Sequence, residues 1–243
     1  MTSSEVLNQL STHYDFLESI GSICDMGCGT GKDIHWWATA KSLDEDDNYF
    51  PLNIECTGVD LKNKVDKDYL KDTSIEIIED NFEKLAIADS KFDVIWSHDS
   101  FQYAINPLAT LKEWNRVSRN NAMLYLAIPQ TTNILYNRQD FTMPGSNYYH
   151  HTLVSLIQML AVNGWDCRDG FFLKEKHNPW IHAIVYKSTV SPMDPRSTRW
   201  ADLIETNLLP ESACASILRH NYVKQQDLIL PWLNGSMTAY FDY

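Results

Sequence analysis

The segment that most constrains this chain is Ile23-Cys24-Asp25-Met26-Gly27-Cys28-Gly29-Thr30-Gly31. A short apolar run ends in three glycines at alternate positions. A stretch rich in Ala and Trp follows and predicts a helix from about Lys32 to Lys41. Alternate glycines let the chain turn tightly and let a ligand approach the backbone. Such a turn at the carboxyl end of a first strand marks the ligand crevice of an open α/β sheet. Two phosphate-cradling patterns fail here. A Walker loop needs GxxxxGK followed by Ser or Thr, but Met26 stands at the first glycine position and Asp33 follows Lys32. A dinucleotide fingerprint needs its third glycine where Lys32 stands. What remains is Asp-x-Gly-x-Gly-x-Gly. The acid two places before the first glycine disfavours a phosphate and suits a ligand with an ammonium or sulfonium group.

The rest of the chain alternates strand and helix signals. Val6, Leu7, Leu10, Tyr14 and Leu17 have helical spacing, so residues 5–19 read as an opening helix. Residues 54–60, 74–78, 92–97 and 122–128 read as further strands. Asn106 and Pro107 open a helix that runs to about Val117, since Asn caps and Pro tolerates the first turn. This alternation implies a parallel sheet covered on both faces. Residues 152–163 form an amphipathic helix ended by Gly164, and 165–173 with 180–187 form a terminal antiparallel pair. Residues 42–51, with Asp44, Glu45, Asp46 and Asp47, read as an exposed acidic loop, and 129–151 as another loop. His177 and His182 flank a turn into the last strand. SPMDPRS, beyond Val190, reads as a linker. Residues 197–230 read as helical, broken at Pro210, and the last ten residues show no pattern.

Composition excludes several functions. Lys and Arg number 20 against 32 Asp and Glu, a formal charge of −12. That sign opposes non-specific nucleic-acid binding and docking on anionic lipid. No apolar run approaches the roughly 20 residues of a membrane span, and the polar, acidic start is neither a secretory nor a transit signal. The 5 cysteines lack CxxC pairing, which fits a reduced cytoplasmic protein. No metal site is expected: HExxH is absent, and the adjacent His150 and His151 cannot easily share one ion. The 8 Trp, 12 Tyr and 9 Phe leave two readings open, a well-filled core or an aromatic pocket for a cation.

The glycine segment resembles motif I of the class I S-adenosylmethionine-dependent methyltransferases. The resemblance extends to Asp60 in TGVDL, to Asp80-Asn81-Phe82 after the third strand, and to the FDVIWS strand. It covers about residues 20–187. It implies a Rossmann-like doubly wound α/β sheet, mostly parallel with a terminal antiparallel strand, plus a helical C-terminal extension. It also implies a cofactor-binding domain over 1–189 and the extension over 190–243, packed on it. The implied cofactor is S-adenosyl-L-methionine, held by Asp25, Gly27, Cys28, Gly29, Thr30, Gly31, Asp60, Leu61, Asp80, Asn81, Phe82, Ser97 and His98. In that family the second acid bonds the ribose hydroxyls. Asp60 stands roughly thirty positions beyond Gly31, whereas the usual interval is roughly 20, so the acidic loop must be a simple insertion.

The block Trp96-Ser97-His98-Asp99-Ser100-Phe101 looks most like methyltransferases of small amines. His98 and Tyr103 are the candidate catalytic residues. Gln102, Tyr148, Tyr149 and His150 are the candidate substrate contacts; an aromatic-rich helix entry explains the last three equally well. His98 reads either as a base or as an imidazole bonded to backbone near the adenosine. Alignment of a nucleophile with the activated methyl can supply roughly 7–11 kcal/mol of the barrier, so a covalent intermediate is unnecessary. The expected activity is methyl transfer to a small-molecule acceptor, with nitrogen favoured. A catalytically silent cofactor-binding subunit and a methyltransferase of protein or peptide remain alternatives. A DPPY- or NPPY-type loop is missing after the fourth strand, which lowers the nucleic-acid and glutamine-amide options. No nucleic-acid or membrane partner is expected, and a homodimer stays open.

Overall fold

The computed structural model describes residues 1–12, 17–43, 49–71, 73–129, 151–175 and 180–239. Helix α1 (Ser3–Leu10) opens on a capping box, with Thr2 accepting from the Glu5 amide and the Glu5 carboxylate accepting from Thr2. It ends at Ser11, where the Ser11 and Thr12 hydroxyls turn back onto the Asn8 and Gln9 carbonyls; of the predicted 5–19, residues 17–18 are helical again and 13–16 lie outside the described residues. Strand β1 (Ser22–Met26) is buried along its whole length, as its apolar run requires. Helix α2 (Lys32–Ala38) follows the glycine turn. It stops three residues before the predicted end, where the Thr39 hydroxyl bonds back to His35.

The predicted acidic loop is flanked by a small hairpin. Strands β2 (Lys41–Leu43) and β3 (Tyr49–Pro51) pair antiparallel, Ser42 opposite Phe50. Ser42 is buried and bonds Glu18. Asp44–Asp47 lie outside the described residues. Strands β4 (Glu55–Asp60), β5 (Ile75–Glu79), β6 (Phe92–His98) and β7 (Ser118–Pro129) then form the parallel sheet with β1. A single turn, α3 (Lys67–Leu70), leads toward β5, and α4 (Pro107–Val117) joins β6 to β7. Asn106 caps α4 and accepts from the Ala109 amide, as its sequence signature predicts.

Helix α5 (Leu153–Val162) precedes strands β8 (Trp165–Lys174) and β9 (Trp180–Lys187). The strand order is β5-β4-β1-β6-β7-β9-β8. Every pair is parallel except β7 with β9 and β9 with β8. The fold is therefore a Rossmann-like sheet with antiparallel pairing at one edge. The order reverses direction at β1, which places a crevice at the carboxyl ends of β1 and β6.

The C-terminal segment packs on both faces of this sheet. Helices α6 (Trp200–Glu205) and α7 (Glu211–His220) are separated at Pro210, as predicted, but the helical reading of 197–230 fails beyond His220, where Asn221 takes a left-handed cap and Ile229–Pro231 is a strand. Leu203, Leu208, Leu209, Leu228 and Leu230 join the core that holds α4 and α5. Trp232 joins the core on the opposite face and donates to Gln9 of α1. The expected linker is tied to the sheet domain: the Met193 amide donates to Val162 and the Ser188 hydroxyl to Gly164. The unpatterned end contains strand β11 (Met237–Ala239), paired with β10 (Ile229–Pro231). Among the described residues no helix is long and apolar enough to cross a membrane.

Candidate active site

The glycine turn rests on specific contacts. Gly27, Gly29 and Gly31 all have positive φ, at 83°, 52° and 85°. The Gly27 and Cys28 amides both donate to the Val59 carbonyl of β4, which pins the turn to the neighbouring strand. A Cβ on Gly27 would stand 2.3 Å from Ser100 Cβ, and one on Gly31 2.5 Å from Val65 Cγ1. A Cβ on Gly29 would meet nothing nearer than a carbonyl oxygen at 4.0 Å. Two glycines thus let the turn pack, and the third leaves an open face through which a ligand reaches the backbone.

Asp25 lies at the floor of this turn. It is buried, and among the described residues no group hydrogen-bonds its carboxylate. Burial, and then the nearby Asp33 and Asp60, push its pKa well above the ordinary carboxylate range. A buried carboxylate held this way is matched by a cationic ligand. Asp60 ends β4, the strand paired with β1, and one of its oxygens accepts from the Gly29 amide at 3.0 Å. The hairpin of β2 and β3 accounts for the long interval between Gly31 and Asp60 in sequence. Leu61, just beyond, is 70% exposed.

The remaining candidates divide. Asp80 follows β5, and its oxygens accept from the Asn81 and Ala86 amides. Asn81 is exposed, and Phe82 packs edge-on against Trp114 with ring centroids 5.8 Å apart. Cys28 turns its side chain onto Gly58 of β4, and its thiol is pushed up to about 12 by burial. Thr30 is exposed and its carbonyl accepts from Asp66. Ser97 faces the opposite side of β6 from His98, as strand alternation demands. There it shares a 2.7 Å hydrogen bond with Ser100, whose hydroxyl also bonds the Met26 carbonyl. Ser97 therefore braces the glycine turn from below.

His98 is the last residue of β6. Asp99 follows in the left-handed region at φ 59° and sends the chain into a 3-10 turn at Phe101–Tyr103. That turn buries Gln102 and leaves Tyr103 44% exposed. Among the described residues no hydrogen bond or ring contact joins Tyr103 to His98. Gln102 donates to Asp99, while its carbonyl oxygen is buried with no partner among the described residues. His98 Nε2 is likewise buried and unpartnered. Burial lowers the His98 pKa against the opposite pull of Asp33 and Asp99, so the ring is neutral near pH 7. Tyr148, Tyr149 and His150 lie outside the described residues.

Four side chains that sequence reasoning did not assign to the site stand beside His98. Across the sheet His98 pairs with Ala127, and Ala127 with His182, so both imidazoles share one face. Trp180 stacks on His98 at 5.6 Å and 22°. Asp33 accepts from Trp96 Nε1 at 2.9 Å and from the Ser3 hydroxyl at 2.7 Å, tying α1 to this face. Glu175 accepts at 2.7 Å from His182 Nε2. The insertion of β9 between β7 and β8 brings Trp180, His182 and Glu175 to His98, whereas Asp33 comes from α2.

Residues 24–126 match the family model of the methyltransferase domain. A sarcosine/dimethylglycine N-methyltransferase of Halorhodospira halochloris is 26% identical over 143 residues, 55% of this chain. The match spans 50% of that protein, so this chain aligns with about half its length. Among solved structures, a Galdieria sulphuraria protein provisionally named sarcosine dimethylglycine methyltransferase shares the fold. Its TM-score is 0.57 at 13% identity, covering 76% of this chain and 84% of that one. The [4+2]-cyclase SpnF also shares the fold, with a TM-score of 0.56 at 15% identity over 76% of this chain and 80% of that one.

Proposed function

From the methyltransferase domain match over residues 24–126, we propose that this chain is a class I S-adenosylmethionine-dependent enzyme that methylates the nitrogen of a small amine. The observation that carries the reading is the buried Asp25 carboxylate, without a donor among the described residues, just before a turn in which Gly29 faces open space. These residues fit the cofactor. Asp25 suits its ammonium group, Asp60 at the strand end its ribose, and the exposed Leu61 an apolar cover for its base. Asp80 and Asn81 form the rim beside Asp60. When bound, S-adenosylmethionine supplies an electrophilic methyl on a sulfonium.

The protein's part is to bind, orient and move a proton. An amine is protonated at neutral pH and must lose that proton before its lone pair can attack. His98 is neutral, buried at Nε2, and stands at the carboxyl edge next to the crevice. We assign it as the proton acceptor, with Gln102 offering the substrate a carbonyl oxygen that has no partner among the described residues. Tyr103 is an exposed rim residue in this reading rather than a base. The likeness to a sarcosine/dimethylglycine N-methyltransferase supports nitrogen as the acceptor. The formal charge of −12 and the free cysteines fit a reduced, cytoplasmic chain acting on a small molecule.

Calorimetry on the full chain with S-adenosylmethionine and S-adenosylhomocysteine tests the first step. Glycine, sarcosine and dimethylglycine then serve as acceptors. Binding followed by methylated product supports the reading; absence of cofactor binding refutes it. The fold shared with a [4+2]-cyclase favours one second reading, a chain that binds the cofactor without methyl transfer. Cofactor binding with no product from any amine would select it.

A further inference from the structure

Methyl transfer as described leaves unused a buried chain of polar groups at the carboxyl edge of the sheet. Tyr125 Oη stands 3.1 Å from His182 Nδ1, and His182 Nε2 stands 2.7 Å from Glu175 Oε1. Tyr125 and His182 are fully buried, and the Glu175 side chain is 10% exposed. Glu175 also holds the α-amino group of Met1. Burial brings His182 down to about 4 despite the adjoining carboxylate, so its ring is neutral at pH 7. An ionised carboxylate can only accept, so Nε2 carries the single ring proton. Nδ1 is then a lone pair, and the Tyr125 hydroxyl must donate to it. The chain therefore has one direction, from Tyr125 through His182 to Glu175.

This chain is packed against His98. The His98 ring lies 6.3 Å from Tyr125 at 19°, and 6.4 Å from His182 at 45°. Tyr125 is fixed on its other side by Trp96, stacked at 3.8 Å. We propose that Glu175, acting through His182 and Tyr125, is a positioning residue that holds the His98 ring in place and sets the pH window of methyl transfer. The proposal rests on the reading of His98 as proton acceptor.

The charged groups facing His98 come from every element around it. Asp33 of α2, Asp99 at the strand end and Glu175 beyond β8 all favour a proton on the ring. The Met1 amine and burial oppose it, and His182 of β9 is the neutral neighbour. The active form of His98 is unprotonated, so activity is lost as pH falls through its pKa. Removing the Glu175 charge withdraws one of the favouring carboxylates. His98 then protonates only at lower pH, and the acid limb moves the same way.

The test is histidine 15N NMR on the full-length wild type and Glu175→Gln, with His98→Gln for assignment. It needs neither cofactor nor acceptor. His182 is expected as the Nε2–H tautomer, and the His98 midpoint falls in Glu175→Gln by roughly half a pH unit. Rate profiles with sarcosine and dimethylglycine should move likewise, about threefold on the acid limb. A purely structural role would lower the rate at every pH without moving the limb. An unmoved His98 midpoint in Glu175→Gln overturns the proposal. If that variant cannot be purified, the wild type decides, since an Nδ1–H tautomer of His182 overturns it equally. A wild type that binds cofactor but methylates nothing refutes the amine reading and leaves the histidine spectra as a separate result.

Discussion

Gly27 and Gly29 stand two residues apart in the same turn, yet alanine at each should fail for different reasons. Both have positive φ, so an L side chain costs about 1–2 kcal/mol at either position. At Gly29 that is the whole structural penalty, because its Cβ would meet only a carbonyl oxygen at 4.0 Å. At Gly27 the Cβ would overlap Ser100 Cβ at 2.3 Å. Ser100 cannot step aside cheaply, because its hydroxyl bonds both the Met26 carbonyl and Ser97. Overpacking of this kind adds about 1–3 kcal/mol. In a protein of this size about 1 kcal/mol moves Tm by roughly 2–4 °C. Gly29→Ala should therefore melt roughly 2–8 °C below wild type, and Gly27→Ala roughly 4–20 °C below. Calorimetry with S-adenosylhomocysteine should show the converse specificity. Gly29→Ala loses at least about tenfold in affinity, or about 1.4 kcal/mol, because the new methyl occupies the open face. Ser100→Gly should relieve the overlap in the Gly27→Ala background, while in the Gly29→Ala background it relieves nothing and only removes the two hydroxyl hydrogen bonds. The reasoning is refuted if Gly29→Ala binds cofactor as wild type does, or if it melts as low as Gly27→Ala.

Two further outcomes follow from burial. Asp25 has a folded pKa above its unfolded one, so the cost of its charged form sets in as pH rises from the usual carboxylate range through the folded value. Asp25→Asn should thus stabilise the free protein at neutral pH while weakening cofactor binding. Wild-type affinity should also weaken by up to about tenfold per pH unit below that value, and the variant should lose the dependence. Melts and calorimetry across pH check both, and a destabilised Asp25→Asn would contradict the account. Separately, a chain ending at residue 189 lacks Leu203, Leu208, Leu209, Leu228, Leu230 and Trp232, all nearly fully buried. At about 1.5–3 kcal/mol for each side chain, the loss matches the whole stability of a typical domain. The shortened chain should show no cooperative unfolding transition; one near the full-length Tm would show that 1–189 folds alone.

Much of the framework was readable from sequence because it rests on local rules. The capped start of α4, the break at Pro210 and the strand–turn–helix around Gly27 each depend on residues within a few positions of one another. The interruption after α1 and the early end of α2 escaped the apolar pattern because hydroxyls of Ser11, Thr12 and Thr39 bond back to the preceding turn. The β2–β3 pairing lay hidden under an acidic composition that resembles a loop.

The sequence by itself determined that this chain has a glycine turn at the end of a first strand, with an acid before it and acids after the next two strands. Backbone sterics and strand alternation suffice for that. Only the tertiary structure decided that Asp25 is buried with no donor among the described residues and that Gly29 alone of the three glycines faces open space. It also decided that Trp180, His182 and Glu175 converge on His98, more than seventy positions earlier in the chain. Those contacts depend on β9 entering the sheet antiparallel beside β7, a long-range pairing that no local pattern encodes.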